Sequence, residues 1–172
     1  MTDLRQNTFF RSFFKVFPLI LLFVSVFNEF DANYFGVPFL SFNFAYILIF
    51  FCTLKAIDHF GYGLIFIAGL INDTVTGLPL GLSSFCYMII CVFSSYFRSI
   101  TLRPTIMKDW LFFLITISVA NSINYLVLYI YFGISVDYRF LIVNNFTTFL
   151  LFFFFYFIFG LYYKKFIGKS DV

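Results

Sequence analysis

From residue 140 to 163 the chain runs "FLIVNNFTTFLLFFFFYFIFGLYY" without one charged side chain. Such a stretch is long enough to cross a bilayer, since a spanning helix takes about 20 apolar residues. The pattern recurs upstream. Apolar runs separated by charge define six candidate spans, at about 13 to 30, 39 to 56, 60 to 76, 79 to 97, 109 to 132 and 140 to 163. In lipid each backbone N–H and C=O must bond within the protein, so helices are the expected spanning form. The runs are continuous and do not alternate, which disfavours a barrel. The expectation is an all-α, polytopic membrane protein of six transmembrane helices, with residues 1–172 forming a single transmembrane domain.

Composition excludes the soluble classes. Charged residues make up 11% of the chain and hydrophobic ones 62%, with a mean hydropathy of +0.98, against about 25% charged in a soluble domain. At 172 residues the helices leave no room for an extramembrane domain. The net charge of +3 comes in small clusters between apolar runs, not in the stripe or tail that a nucleic-acid partner requires. The 32 Phe and 12 Tyr fill runs such as Phe152 to Phe155; without interleaved Arg or Lys they read as lipid-facing and helix-packing aromatics, not stacking platforms. Cys52, Cys86 and Cys91 lie in or near apolar runs with neither a CxxC spacing nor His partners, so no metal site or disulfide framework is expected. Arg5, Arg11 and Lys15 before an apolar run resemble a secretory signal, yet "FNEFDAN" follows in place of a small-residue cleavage pattern. A retained first span is expected.

Six spans sort the cations unevenly. One side receives Arg5, Arg11, Lys15, Lys55, Arg98, Arg103, Lys108, Lys164, Lys165 and Lys169, and the other only Arg139. The positive-inside rule then makes both termini cytoplasmic, with Glu29, Asp31 and Asp137 outside. Deleting one span would scatter the later clusters, so the same count supports an even number. The loops are short and no internal repeat is present, so function is expected on helix surfaces or between helices.

One stretch breaks the monotony: "GLINDTVTGLPLG", residues 69 to 81, spaced as Gly69-x3-Asp73-x3-Gly77-x3-Gly81. Residues four apart share a helix face, and glycine there lets a second backbone approach, as in small-xxx-small packing. Pro79 cannot continue a helix and turns Leu78 away from helical angles, while Gly77 permits a tight reversal. Asp73, read as the one carboxylate within a span, should lie about 5 Å inside the outer end of its helix. A charge in that position must point inward and find partners. Thr74, Thr76 and the free amides at the start of the next helix are the candidates. Two readings follow: Asp73 caps and fixes the hairpin, or it serves a ligand or proton pathway.

Asn121 and Asn124, three apart on the fifth span, form a possible polar strip, for inter-helix hydrogen bonding or for a substrate. Asn72, Asn144 and Asn145 are the other carboxamides considered within or beside the spans. The single His59, beside Asp58 in a loop, has no nucleophile motif or metal partner near it in sequence, so no catalytic residue and no cofactor is expected.

The segment "AGLINDTVTGLPLGLSSF" resembles the pattern of the MreD family of rod shape-determining proteins: a Gly, a run to Asp, then Gly and a further Gly entering the next span. Length, the basic N-terminus, Arg98 and Arg103 after the fourth span and the Lys-rich end are similar too. The resemblance implies a non-enzymatic scaffold in the bacterial inner membrane, a subunit of the machinery that elongates the peptidoglycan wall. Its implied partners are MreC, the MreB filament, and RodA with its partner transpeptidase. It also implies a fold like the substrate-binding subunits of energy-coupling-factor transporters. A vitamin-binding subunit of that transporter type is therefore the rival reading. Against it, the first span reads "FPLILLFVSVF" and lacks the pair of small residues four apart that such subunits are expected to dock with.

Overall fold

A computed structural model describes residues 16–27, 42–55, 61–101, 105–133 and 138–163. The described residues form six helices and no strand: α1 (Val16–Phe27), α2 (Phe44–Leu54), α3 (Tyr62–Thr76), α4 (Leu82–Ile100), α5 (Ile106–Phe132) and α6 (Tyr138–Tyr162). Arg5, Arg11, Lys15, Glu29, Asp31, Asp58, His59, Arg103, Asp137, Lys164, Lys165 and Lys169 lie outside the described residues.

Three helices, α4, α5 and the Leu141–Tyr162 part of α6, are long and apolar enough to cross a membrane. Their outward faces remain oily: Val92, Ile115, Leu126, Phe146 and Phe154 are all at least half exposed. A helix apolar on both its buried and exposed faces suits lipid better than water.

The second candidate span turns out differently from a lipid-facing helix. Instead of the run from 39 to 56, α2 covers 11 residues, and all of them except Ala45 are buried. At about 1.5 Å per residue it is only about 16 Å long. It is the axis around which the others pack, with α4 and α6 against it and α3 and α5 outside them. Its contacts show the directions. Tyr46 meets Tyr87, Ser94 Oγ donates to the Phe50 carbonyl at 3.0 Å, and Arg98 donates to the Thr53 carbonyl at 3.3 Å. The numbers rise together, so α2 and α4 run parallel. Asn43 with Asn144 and Phe51 with Tyr156 place α6 parallel to both, and α3 and α5 run in the opposite direction.

Aromatic side chains form the centre. Phe50 of α2, Phe113 of α5 and Phe152 of α6 make a three-helix cluster, the last two stacked with centroids 4.1 Å apart and Phe50 edge-on to both. Offset and edge-to-face pairs of this kind add about 0.5–1.5 kcal/mol beyond their buried area. Near one end Trp110 stacks on Phe149 at 4.3 Å and donates its indole N–H to the Phe149 carbonyl at 3.0 Å. The three cysteines are buried and free; Cys91 accepts from Thr53 and Cys86 donates to the Ala120 carbonyl.

Candidate functional site

The hairpin between α3 and α4 is built from its sequence outward. Helix α3 stops because Gly77 takes a left-handed conformation (φ +69°), and the N–H groups of Gly77 and Leu78 both turn back onto the Asp73 carbonyl. This is the common glycine-terminated helix end. Pro79 then opens a turn that its own carbonyl closes by accepting from Leu82 N–H at 3.2 Å, with Gly81 at φ +97° inside it. Gly81 is also the N-cap residue of α4 and carries no side chain to cap with.

Asp73 supplies the missing cap from the preceding helix. Its Oδ2 accepts from Gly81 N–H at 2.7 Å and its Oδ1 from Ser83 N–H at 2.8 Å. The residue is wholly buried. An anion here meets two otherwise orphaned donors and the positive end of the α4 dipole, which offsets its removal from water. Thr74 and Thr76 take no part: each hydroxyl donates back along α3, to the carbonyls of Ile71 and Asn72.

Gly69 lets the two helices touch. A Cβ built there would lie 2.6 Å from the backbone nitrogen of Ser84, closer than real Cβ atoms come. Around this contact Ser84 Oγ donates to the Phe66 carbonyl at 2.9 Å and Asn72 Nδ2 donates to Ser83 Oγ at 2.9 Å. Gly69, Asp73, Gly77, Pro79 and Gly81 thus act on one junction: the first by close approach, the second by capping, the rest by shaping the reversal.

Beside the hairpin lies a cavity of about 200 Å³, walled by the ends of α1, α2, α3 and α4 and by α5. Asn43, Asn72, Thr76, Ser83, Tyr46, Tyr87 and Asn124 are among the residues that line it, with Phe42 and Phe44. The Oδ1 atom of Asn124 is buried with no hydrogen-bond partner. The expected Asn121–Asn124 strip is divided between two tasks. Asn121 faces α6 and donates to Asn145 Oδ1, whereas Asn124 faces the cavity. Asn144 also joins helices: Asn43 Nδ2 donates to its Oδ1 at 3.3 Å, and Asn43 N–H donates to Thr148 Oγ1 at 3.1 Å.

A second polar cluster escaped the sequence reading. Asp73 is not the one carboxylate inside a helix: α5 begins at Ile106, which carries Asp109 into its first turn and buries it completely. Tyr156 of α6 donates to Asp109 Oδ2 at 2.8 Å, and Lys55 at the end of α2 donates to the Tyr156 hydroxyl at 3.3 Å. Asp109 Oδ1 has no hydrogen-bond partner. Lys55 and Arg98, expected as loop cations, instead tie helix ends together. The sequence did carry a signal: Thr105 is of a type favoured at helix N-caps, and it is the N-cap residue that starts α5 ahead of Asp109.

Asp73 has both oxygens engaged by backbone donors of the hairpin. Among the described residues no three His, Cys, Asp or Glu side chains group to hold a metal ion. No family model, curated protein or solved structure matches the chain.

Proposed function

We propose that the chain is a scaffold subunit of the wall-elongation machinery in the bacterial inner membrane, of the MreD type, with six spans and both termini in the cytoplasm. The observation that carries this reading is the use made of Asp73: the motif behind the resemblance spends its charge on Gly81 and Ser83 amides, fixing two helices at one junction. A motif used in this way serves the presentation of helix faces to other proteins. MreC, the synthase RodA with its transpeptidase, and the MreB filament beneath the membrane are the partners in this reading.

A further feature supports it. Lys55, Arg98 and Lys108 gather at one end of the bundle, opposite the hairpin, which accords with a cytoplasmic end there.

The test is depletion in a rod-shaped bacterium that bears the gene, together with crosslinking in native membranes. Rounded cells and crosslinks to MreC are expected. Cells that stay rod-shaped while losing vitamin uptake would favour the carrier reading instead.

A further inference from the structure

The polar cavity does not stand alone. An apolar groove of about 360 Å³ runs between α1, α2 and α6, and Phe42 and Phe44 belong to the walls of both. Helix α1 continues from one to the other along a single face: Phe17, Pro18 and Leu21 line the groove, and Ser25, one turn further, lines the cavity. The two lie side by side, an apolar groove and a polar cavity with Phe42 and Phe44 in common.

The two parts differ sharply in chemistry. The groove is lined by aromatic and aliphatic side chains, with the Tyr162 and Tyr163 rings and Cys52 among them. Among the described residues the cavity wall consists of carboxamides, hydroxyls, aromatic rings and the aliphatic Ala45 and Leu78, with no Lys, Arg, Asp or Glu. Asp73, the nearest carboxylate in the hairpin, is buried and turned to its own backbone donors. None of the described wall residues would neutralise a phosphate or a carboxylate. Neutral hydroxyl groups, in contrast, both donate to and accept from such side chains, and Asn124 Oδ1 is a buried acceptor without a donor. The cavity volume equals about seven water molecules at roughly 30 Å³ each, which suits a single sugar ring or a glycerol unit.

We propose that cavity and groove together bind an amphiphilic lipid, with a neutral, hydroxyl-rich headgroup in the cavity against Asn124 and an acyl chain in the α1–α2–α6 groove. This inference does not depend on the scaffold reading, because it rests on the cavity and groove alone.

The full-length protein, purified in mild detergent, is titrated with glucosyl-diacylglycerol, phosphatidylglycerol or methyl glucoside, and bound ligand is counted by native mass spectrometry. Glucosyl-diacylglycerol is expected to bind at least tenfold more tightly than phosphatidylglycerol, with methyl glucoside failing to compete at equal concentration. Asn124→Leu, which removes the headgroup acceptor, and Leu21→Trp, which fills the groove, should each weaken lipid binding about five- to thirtyfold. Tyr87→Phe replaces Asn124→Leu if the latter does not fold, and is expected to weaken binding in the same direction. Equal binding of phosphatidylglycerol, competition by methyl glucoside as strong as by the lipid, or unchanged binding in these variants would overturn the proposal.

Discussion

Asp73 and Ser83 are ten residues apart in the chain and belong to different helices, yet the Asp73 Oδ1 atom holds the Ser83 amide hydrogen at 2.8 Å. The first turn of α4 is capped by its predecessor: the Asp73 carbonyl accepts the bonds that end α3, and its carboxylate accepts those that open α4.

Asp73→Ala should therefore unfold more easily by about 2–4 kcal/mol, through loss of two hydrogen bonds to a charged acceptor and exposure of two buried donors. Asp73→Asn keeps one carbonyl acceptor and should lose roughly half as much. Denaturant-induced unfolding in mixed micelles, followed by tryptophan fluorescence, measures both; equal stability of the two variants would contradict the two-oxygen cap.

At Gly69 the obstacle is main chain. Gly69→Ala should cost about 1–3 kcal/mol, as expected for overpacking, because Ser84 N and Cα cannot swing aside as a side-chain tip can. Adding Ser84→Gly to Gly69→Ala should fail to restore stability in the same unfolding assay, since the clashing backbone atoms remain.

Gly77 and Gly81 are needed for a different reason. Space around both is open, but both have positive φ, so alanine at either should cost about 1–2 kcal/mol in backbone strain. Asn tolerates this region better, and Gly77→Asn should retain more stability than Gly77→Ala when thermal unfolding temperatures are compared.

At the opposite end of the bundle, Tyr156→Phe removes the donor to Asp109 and the acceptor for Lys55. A loss of about 1–3 kcal/mol is expected, since a buried carboxyl group is left without its partner. The double variant Asp109→Leu, Tyr156→Phe should be more stable than Tyr156→Phe alone, because an apolar pair leaves nothing unsatisfied. A double-mutant cycle on unfolding free energies gives the sign.

Much of this arrangement is legible in the residues. Gly77 and Pro79 mark the break between α3 and α4, and the structure ends α3 at Thr76 and starts α4 at Leu82. The apolar runs at 109–132 and 140–163 correspond to α5 and α6. Hydropathy is blind to what lies on the other side of an apolar surface, however, and so α2 reads like a lipid-facing span although protein surrounds it. The two asparagines of α5 show a similar limit. Spacing puts Asn121 and Asn124 near one another, but about 60° of helix rotation between them is enough to send one to Asn145 and the other to the cavity. Asp109 was hidden by a boundary: moving a helix start by three residues turns an edge residue into a buried one.

The burial of α2 also bears on how the chain is made. Synthesis delivers Phe50 well before Ser94, the hydroxyl that its carbonyl receives 44 residues later. At about 5–20 residues per second the interval is roughly two to nine seconds. Its aromatic neighbours Phe113 and Phe152 emerge later still. A segment too short to hold a place in lipid by itself must then be sheltered at the insertion machinery until the helices around it exist. The innermost helix is therefore among the first made, and its burial is complete only after the last helix has been translated.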